Sequence, residues 1–192
     1  MNNSNEKVVN KRRAVIGKVR FSYMFAFAPH SIGEGQAEKY SVSIIIPKSD
    51  AKSIEICKKA IEAAYEEGKT KLGNGKTVPQ LSAIKTPLRD GDTDRPDDPA
   101  YKDSYFINAN SIDKPHVVDS KCQPIISQDE AYSGCYGNVS IVFYAYNVNG
   151  NRGIAAGLQN IQITEKGEPL GGKSSAEDDF LPFMDDEDDF LK

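Results

Sequence analysis

The chain has 192 residues, 39% of them hydrophobic, enough for one self-supporting core but too little for a second full domain. No run approaches the roughly 18 consecutive apolar residues of a membrane span, and the first residues lack a secretory signal, so a soluble cytoplasmic protein with no membrane partner is expected. The formal charge of −4 is uneven: residues 173–192 hold eight acidic groups against two lysines, which leaves +2 on the remainder and a basic N-terminal edge of Lys7, Lys11, Arg12, Arg13, Lys18 and Arg20.

Residues 1–12 are polar and aperiodic and read as a flexible basic lead. From Arg13 to Ala28 the alternation predicts a long strand, with Val15, Val19, Phe21, Tyr23, Phe25 and Phe27 on one side and Lys18, Arg20, Ser22, Met24 and Ala26 on the other. Tyr40, Val42, Ile44 and Ile46 predict a second strand, stopped by Pro47. Ser49 or Asp50 can cap a helix reaching about Glu67, whose stripe of Ile54, Cys57, Ile61, Ala64 and Tyr65 packs on the sheet, with Gly68 as its left-handed terminator.

Lys69 to Thr86 reads as an exposed basic loop. Its Gly73-Asn74-Gly75-Lys76-Thr77 is similar to the end of a phosphate-cradling loop, but Thr70 stands where that loop needs glycine. Asp90 to Asp98 spaces carboxylates as calcium loops do, yet Tyr101 occupies the position of the bidentate Glu, so a solvated acidic loop is expected. Short strands follow at Ser104–Asn110 and His116–Asp119. Neither His30 nor His116 has a partner at metal-ligand spacing, and Cys57, Cys122 and Cys135 include no Cys-x-x-Cys pair. No nucleophile elbow is present. A protein that binds rather than catalyses, with no metal and no cofactor, is the expectation; metal-dependent phosphoryl transfer at Asp90–Asp98 is the rival from another class.

The most informative stretch is Tyr132–Ile163. Two runs of β-branched and aromatic residues flank Asn149-Gly150, which predicts a long β-hairpin. Val139, Ile141, Phe143 and Ala145 fall on one face of its first arm, the core side together with Phe21 and Phe25. Tyr136, Tyr144 and Tyr146 fall on the other among polar neighbours. Such a face suits either stacking of unpaired bases or an amphipathic strand whose tyrosines seal the core edge, and a protein-binding module is a further reading. The candidate DNA-binding set is Tyr136, Tyr144 and Tyr146, with Lys18, Arg20 and Arg152 as phosphate contacts. After a Gly/Ser/Lys linker from Gly167, the acidic tail carries interspersed phenylalanines, a composition for docking rather than for a core.

Several of these motifs occur together in one known family. Gly17-Lys18-Val19-Arg20-Phe21-Ser22-Tyr23, Ile45-Ile46-Pro47-Lys48-Ser49-Asp50, Tyr132-Ser133-Gly134-Cys135-Tyr136 and Gly150-Asn151-Arg152-Gly153 through Gln162 resemble the bacteriophage single-stranded DNA-binding proteins of the OB-fold type, over about residues 14–183. The resemblance implies a mainly β architecture, an elaborated five-stranded OB-fold barrel over residues 13–166 with one amphipathic helix and the long hairpin. It further implies sequence-independent binding of single-stranded DNA in phage replication or recombination. The terminal Asp178-Asp179-Phe180-Leu181-Pro182-Phe183 is similar to the acidic tail of bacterial single-stranded DNA-binding proteins, which implies recruitment of phage or host replication and recombination proteins and competition with DNA for the basic groove. Nine residues follow Phe183, a departure from that tail. Nothing in the sequence decides between a monomer and a homo-oligomer.

Overall fold

The computed structural model describes residues 9–31 and 35–171. In chain order its elements are β1 (Arg13–His30), β2 (Lys39–Pro47), α1 (Ala51–Gly73), β3 (Arg89–Asp90), the single-turn α2 (Gly91–Asp94), β4 (Ser104–Ser111), β5 (His116–Val118), β6 (Tyr136–Val148) and β7 (Asn151–Glu165). Around the barrel the order is β1, β2, β4, β7, β6 and back to β1. Neighbours are antiparallel except β4 and β7, which close the barrel in parallel through Ala109 opposite Ala156 and Asn110 opposite Gly157. This is the five-stranded OB-type barrel. β3 extends the sheet beyond β4, and β5 extends it beyond β7.

The inward-facing positions follow the alternation of β2, β4 and β6, while on β7 the phase shifts between Leu158 and Asn160. Ile44, Ile46, Ile107, Ile141, Phe143, Leu158 and Ile161 are fully buried. Asn149 and Gly150 both take positive φ, 52° and 84°, the geometry of a two-residue hairpin turn between β6 and β7. A smaller cluster lies on the outside of the barrel, where Ile45, Tyr101 and Phe106 pack together and the two rings meet edge to face at 5.1 Å.

β1 departs from simple alternation. Lys18 and Tyr23 adopt positive φ, 57° and 46°, at two of the three places where the register shifts, against β6 between Ile16 and Val19 and against β2 between Ser22 and Phe25; the third lies against β2 between Phe25 and His30. Each bulge moves the inward phase by one residue. Ala14 and Ile16 point inward before the first, Val19 and Phe21 between the two, and Ala26 after the second. Val15 and Phe25 are therefore exposed, correcting the expectation that both belong to the core side.

The helix is also longer than expected. Asp50 caps it by accepting from the Ser53 N–H at 3.1 Å, an interaction that holds its carboxyl below the usual range, but the left-handed C-cap is Asn74 and not Gly68. Gly68 is where α1 touches β6: a Cβ there would lie 2.2 Å from the Ala145 Cβ. One turn on, Leu72 is fully buried, so the first part of the expected loop is helix. Cys57 lies in the packed stripe, and burial pushes its thiol up to about 12, which makes it an inert core side chain.

Candidate nucleic-acid interface

The second bulge of β1 creates the most distinctive surface of the barrel. Tyr23 and Phe25 stand on the outer face, 52% and 37% exposed, and the Phe25 ring stacks on His30 with centroids 4.4 Å apart and planes 12° from parallel. The Arg95 guanidinium lies over three rings at once: Tyr101 at 4.6 Å, Tyr23 at 5.1 Å and Phe106 at 5.2 Å. Beside Tyr23 and Phe25 runs a groove of about 690 Å³, lined also by Arg20, Asp98, Ala100, Ser133, Glu168 and Leu170. Phe25 is opposite Ser41 in the sheet, and past it the surface enters a second hollow of about 400 Å³, walled by His30, Gln36, Lys39, Ser41 and Asn110.

The segment that delivers Arg95 is pinned by charge. Lys48, next to the end of β2, donates to Asp90 at 2.9 Å and to Asp92 at 2.7 Å, and Arg89 pairs with Asp94 at 2.8 Å. Asp92 also accepts from the Asp103 N–H, and Asp90 caps α2 through the Asp92 N–H. The Asp92 and Asp90 carboxylates raise the Lys48 ammonium above its usual value, and Lys48 in turn holds both carboxyls below theirs. These aspartates thus spend their charge on organising the loop. Among the described residues no group of three or more His, Cys, Asp or Glu is arranged to hold a metal ion.

The six residues singled out in the sequence fall in different places. Arg20 lines the groove: it lies 5.3 Å over the ring of half-buried Tyr136 and donates to the carbonyls of Gly134, at 3.4 Å, and Glu168, at 3.0 Å. Tyr144, 38% exposed, is eight positions farther along β6, about 27 Å from Tyr136 at strand spacing. Tyr146 is half-buried against Gly153 of β7. Arg152 donates to the Leu72 carbonyl at 3.0 Å, beside an Asn147 bond to Lys71, so the hairpin tip satisfies the free carbonyls at the end of α1. Lys18 is exposed on the first bulge, and its charge helps to lower the Asp50 carboxyl at the other end of the same helix, about 34 Å away for 23 residues. The structure joins Arg20 to Tyr136 and leaves Lys18, Tyr144, Tyr146 and Arg152 apart from them.

Tyr23, Phe25 and Arg95 were missed because a bulge hid the first two and a run of aspartates the third. The one available signal was the flanking of Arg95 by Pro96 and Pro99, residues that stiffen a loop. Gly167 to Gly171, the start of the expected linker, lies along the groove: Tyr132 donates to the Gly167 carbonyl and the Leu170 N–H to Ser133, both at 2.8 Å. The tail residues Asp178, Asp179, Phe180, Leu181, Pro182 and Phe183 lie outside the described residues.

Residues 12–191 match the family described as the Enterobacter phage Enc34 ssDNA-binding protein. The chain belongs to that family. A curated relative, the protein p50 of Acyrthosiphon pisum secondary endosymbiont phage 1, is 32% identical over 183 residues, covering 90% of this chain and 96% of that one. The solved single-stranded DNA-binding protein from bacteriophage Enc34 in complex with ssDNA is similar at TM-score 0.67 and 25% identity, over 83% of this chain and 89% of that chain. Its C-terminally truncated form shares the fold at TM-score 0.69 and 24% identity, over 82% and 88%. The Enc34 family description is that of an ssDNA-binding protein. Among the described residues no helix is long and apolar enough to cross a membrane.

Proposed function

We propose that this member of the Enc34 family binds single-stranded DNA along the outer face of β1, β2 and β4, as a phage replication or recombination protein. The observation that carries the reading is the pair of bulge-exposed aromatics, Tyr23 and Phe25, set between the guanidinium groups of Arg20 and Arg95. An OB barrel presents this face, between its second and third strands and the neighbouring loops, to oligonucleotides. A relative of the same family is described in complex with ssDNA.

Bases of a single strand lack a stacked neighbour on one side, and each aromatic face replaces that neighbour for roughly 1–3 kcal/mol without reading sequence. Tyr23 and Phe25 perform this stacking. Arg20 and Arg95 are held beside aromatic rings, and their remaining N–H groups are available to phosphate oxygens. Lys39 adds a third cation at the far end. Tyr136 serves as the plate that orients Arg20. Lys18, Tyr144, Tyr146 and Arg152 stand outside this path and act on the fold or on other surfaces.

The acidic tail belongs to the same mechanism. Residues 167–171 run along the groove, so the segment that carries eight acidic groups departs from its lip. Tethered there, it competes with phosphate for Arg20 and Arg95 and is freed for partner proteins once DNA displaces it.

The test is a fluorescence anisotropy titration with an unstructured oligonucleotide at several salt concentrations. With three cations engaged, log K falls with log salt at a slope of about −2, from roughly −0.7 per phosphate. Phe25→Ala weakens binding about fivefold or more, the loss of at least about 1 kcal/mol of stacking, and a chain ending before Glu177 binds more tightly at low salt. Wild-type affinity in Phe25→Ala contradicts the proposed path, and unchanged affinity after truncation contradicts the tail mechanism.

A further inference from the structure

The end of the β6–β7 hairpin carries a charged surface that the groove along β1 does not use. Asn147 and Arg152 tie it to the end of α1 through the Lys71 and Leu72 carbonyls, both at 3.0 Å, and the Lys85 ammonium meets the Asn151 side chain at 3.4 Å. Lys76 stands in the turn just past the helix, where its N–H donates to the Gly73 carbonyl. Four cations, Lys71, Lys76, Lys85 and Arg152, are thereby gathered around one hairpin end. Among the described residues none of the four forms an ion pair.

The sequence keeps carboxylates away from this end. Residues 69–89 and 131–164 contain no aspartate or glutamate, and the next ones back along the helix, Glu66 and Glu67, are taken by Lys69 and Arg12, each at 2.6 Å. Between the cations, Val148 is 63% exposed, on the same outer side of β6 as Tyr144. An exposed aliphatic group among unpaired cations does not suit a nucleotide, which needs a ring to lie on. It suits a segment that mixes carboxylates with apolar side chains.

Such a segment exists in the chain itself. Asp178-Asp179-Phe180-Leu181-Pro182-Phe183 lies within a stretch, residues 173–192, that holds eight acidic groups against two lysines. Reach decides which copy can supply it. Gly171 lines the groove, and the strap leading to it passes the Tyr136 ring at Gly167. Val148 is twelve positions along β6 from Tyr136, about 40 Å at strand spacing. Seven residues from Gly171 to Asp178 extend at most about 25 Å, too little to bring residues 178–183 to the hairpin end of their own copy.

We infer that the hairpin end of one copy is the docking site for residues 178–183 of a neighbouring copy on the same DNA strand. The four cations take the carboxylates, and Val148 and Tyr144 take the apolar side chains. The inference rests on the single-stranded DNA reading, and it names a receiver for the tail that DNA displaces from the groove: the next copy along the strand.

The experiment compares the full chain on the shortest thymine oligonucleotide that binds and on a thymine strand several times that length, by anisotropy, with overlapping sites corrected for. At low salt the affinity per site is about tenfold higher on the long strand, the order that several exposed ion pairs supply together, and the ratio falls toward one as salt is raised. Lys76→Glu with Lys85→Glu, both exposed loop positions, brings the ratio near one and leaves binding to the short oligonucleotide unchanged. A chain ending before Glu177 also brings it near one. Asp178→Lys with Asp179→Lys removes the ratio alone and restores it when combined with the two hairpin-end substitutions. A ratio near one in the unaltered chain, a ratio that survives either change, or a charge swap that fails to restore it overturns the docking. Weaker binding of the short oligonucleotide by the Lys76→Glu, Lys85→Glu chain shows that DNA occupies the hairpin end, and overturns it too. Failure to bind either oligonucleotide overturns the single-stranded DNA reading itself.

Discussion

Gly68 shows how a single residue can invert a general rule. In an ordinary helix interior, replacing glycine with alanine stabilises by about 1 kcal/mol. Here the added Cβ would lie 2.2 Å from the Ala145 Cβ, and α1 would have to lift from β6. Gly68→Ala is therefore expected to destabilise by about 1–3 kcal/mol, the usual cost of overpacking, and to lower the melting temperature in a thermal unfolding scan. A higher melting temperature would show that the helix can move at no cost. The same close approach explains why the helix end was not legible in the sequence: a glycine that admits a neighbour and a glycine that ends a helix look identical until Ala145 is known to be opposite. Leu72, one turn farther on, was the only sequence sign that the buried stripe continued.

At the scale of elements, the contrast between β6 and β1 decides how much could be read in advance. β6 keeps one phase, so Val139, Ile141, Phe143 and Ala145 are buried as the alternation requires, and the Asn149-Gly150 turn is where it was expected. β1 changes phase at Lys18 and again at Tyr23. Aromatic residues lie on both sides of the second shift, so periodicity alone gives no sign of it. The barrel and hairpin were legible, while the surface that bulge exposes was not. Arg20 and Tyr136 face each other across β1 and β6, a juxtaposition that periodicity within either strand does not give.

The loop that presents Arg95 is a second element with its own prediction. Asp90 and Asp92 are held below their ordinary value of 3.8, chiefly by Lys48, so their contribution is complete above that pH and is lost as pH falls through the lowered values. Lys48 is raised above its ordinary 10.5, chiefly by Asp92, so its contribution is complete below that pH and is lost only as pH rises beyond the raised value. Between those limits the clamp is intact. Hydrogen exchange over residues 89–103 should be slow and independent of protonation across this window once the intrinsic exchange rate is divided out, and should accelerate on acidification below it. Lys48→Met should reproduce the fast exchange at neutral pH. Protection unchanged in that variant would mean that packing of Tyr101 and Phe106, not the ion pairs, holds the loop.

For the whole molecule, the barrel does one thing for function: it fixes a strand with a phase shift on its outer wall, so that two aromatic rings face solvent beside cations they help to hold. The body carries little net charge, and on the proposed path three cations, Arg20, Arg95 and Lys39, predict a moderate salt dependence rather than the steep response of a basic channel. In the proposed mechanism the acidic segment competes with DNA for these cations.

The chain contains no tryptophan, so one introduced indole reports its own surroundings without background. Phe25→Trp and Tyr144→Trp place it, in separate proteins, on the proposed path and on the tyrosine face of β6. Addition of an unstructured oligonucleotide should quench the fluorescence of the indole at position 25 by base stacking and leave that at position 144 unchanged. Quenching at 144 with none at 25 would place the strand on the hairpin and contradict the account.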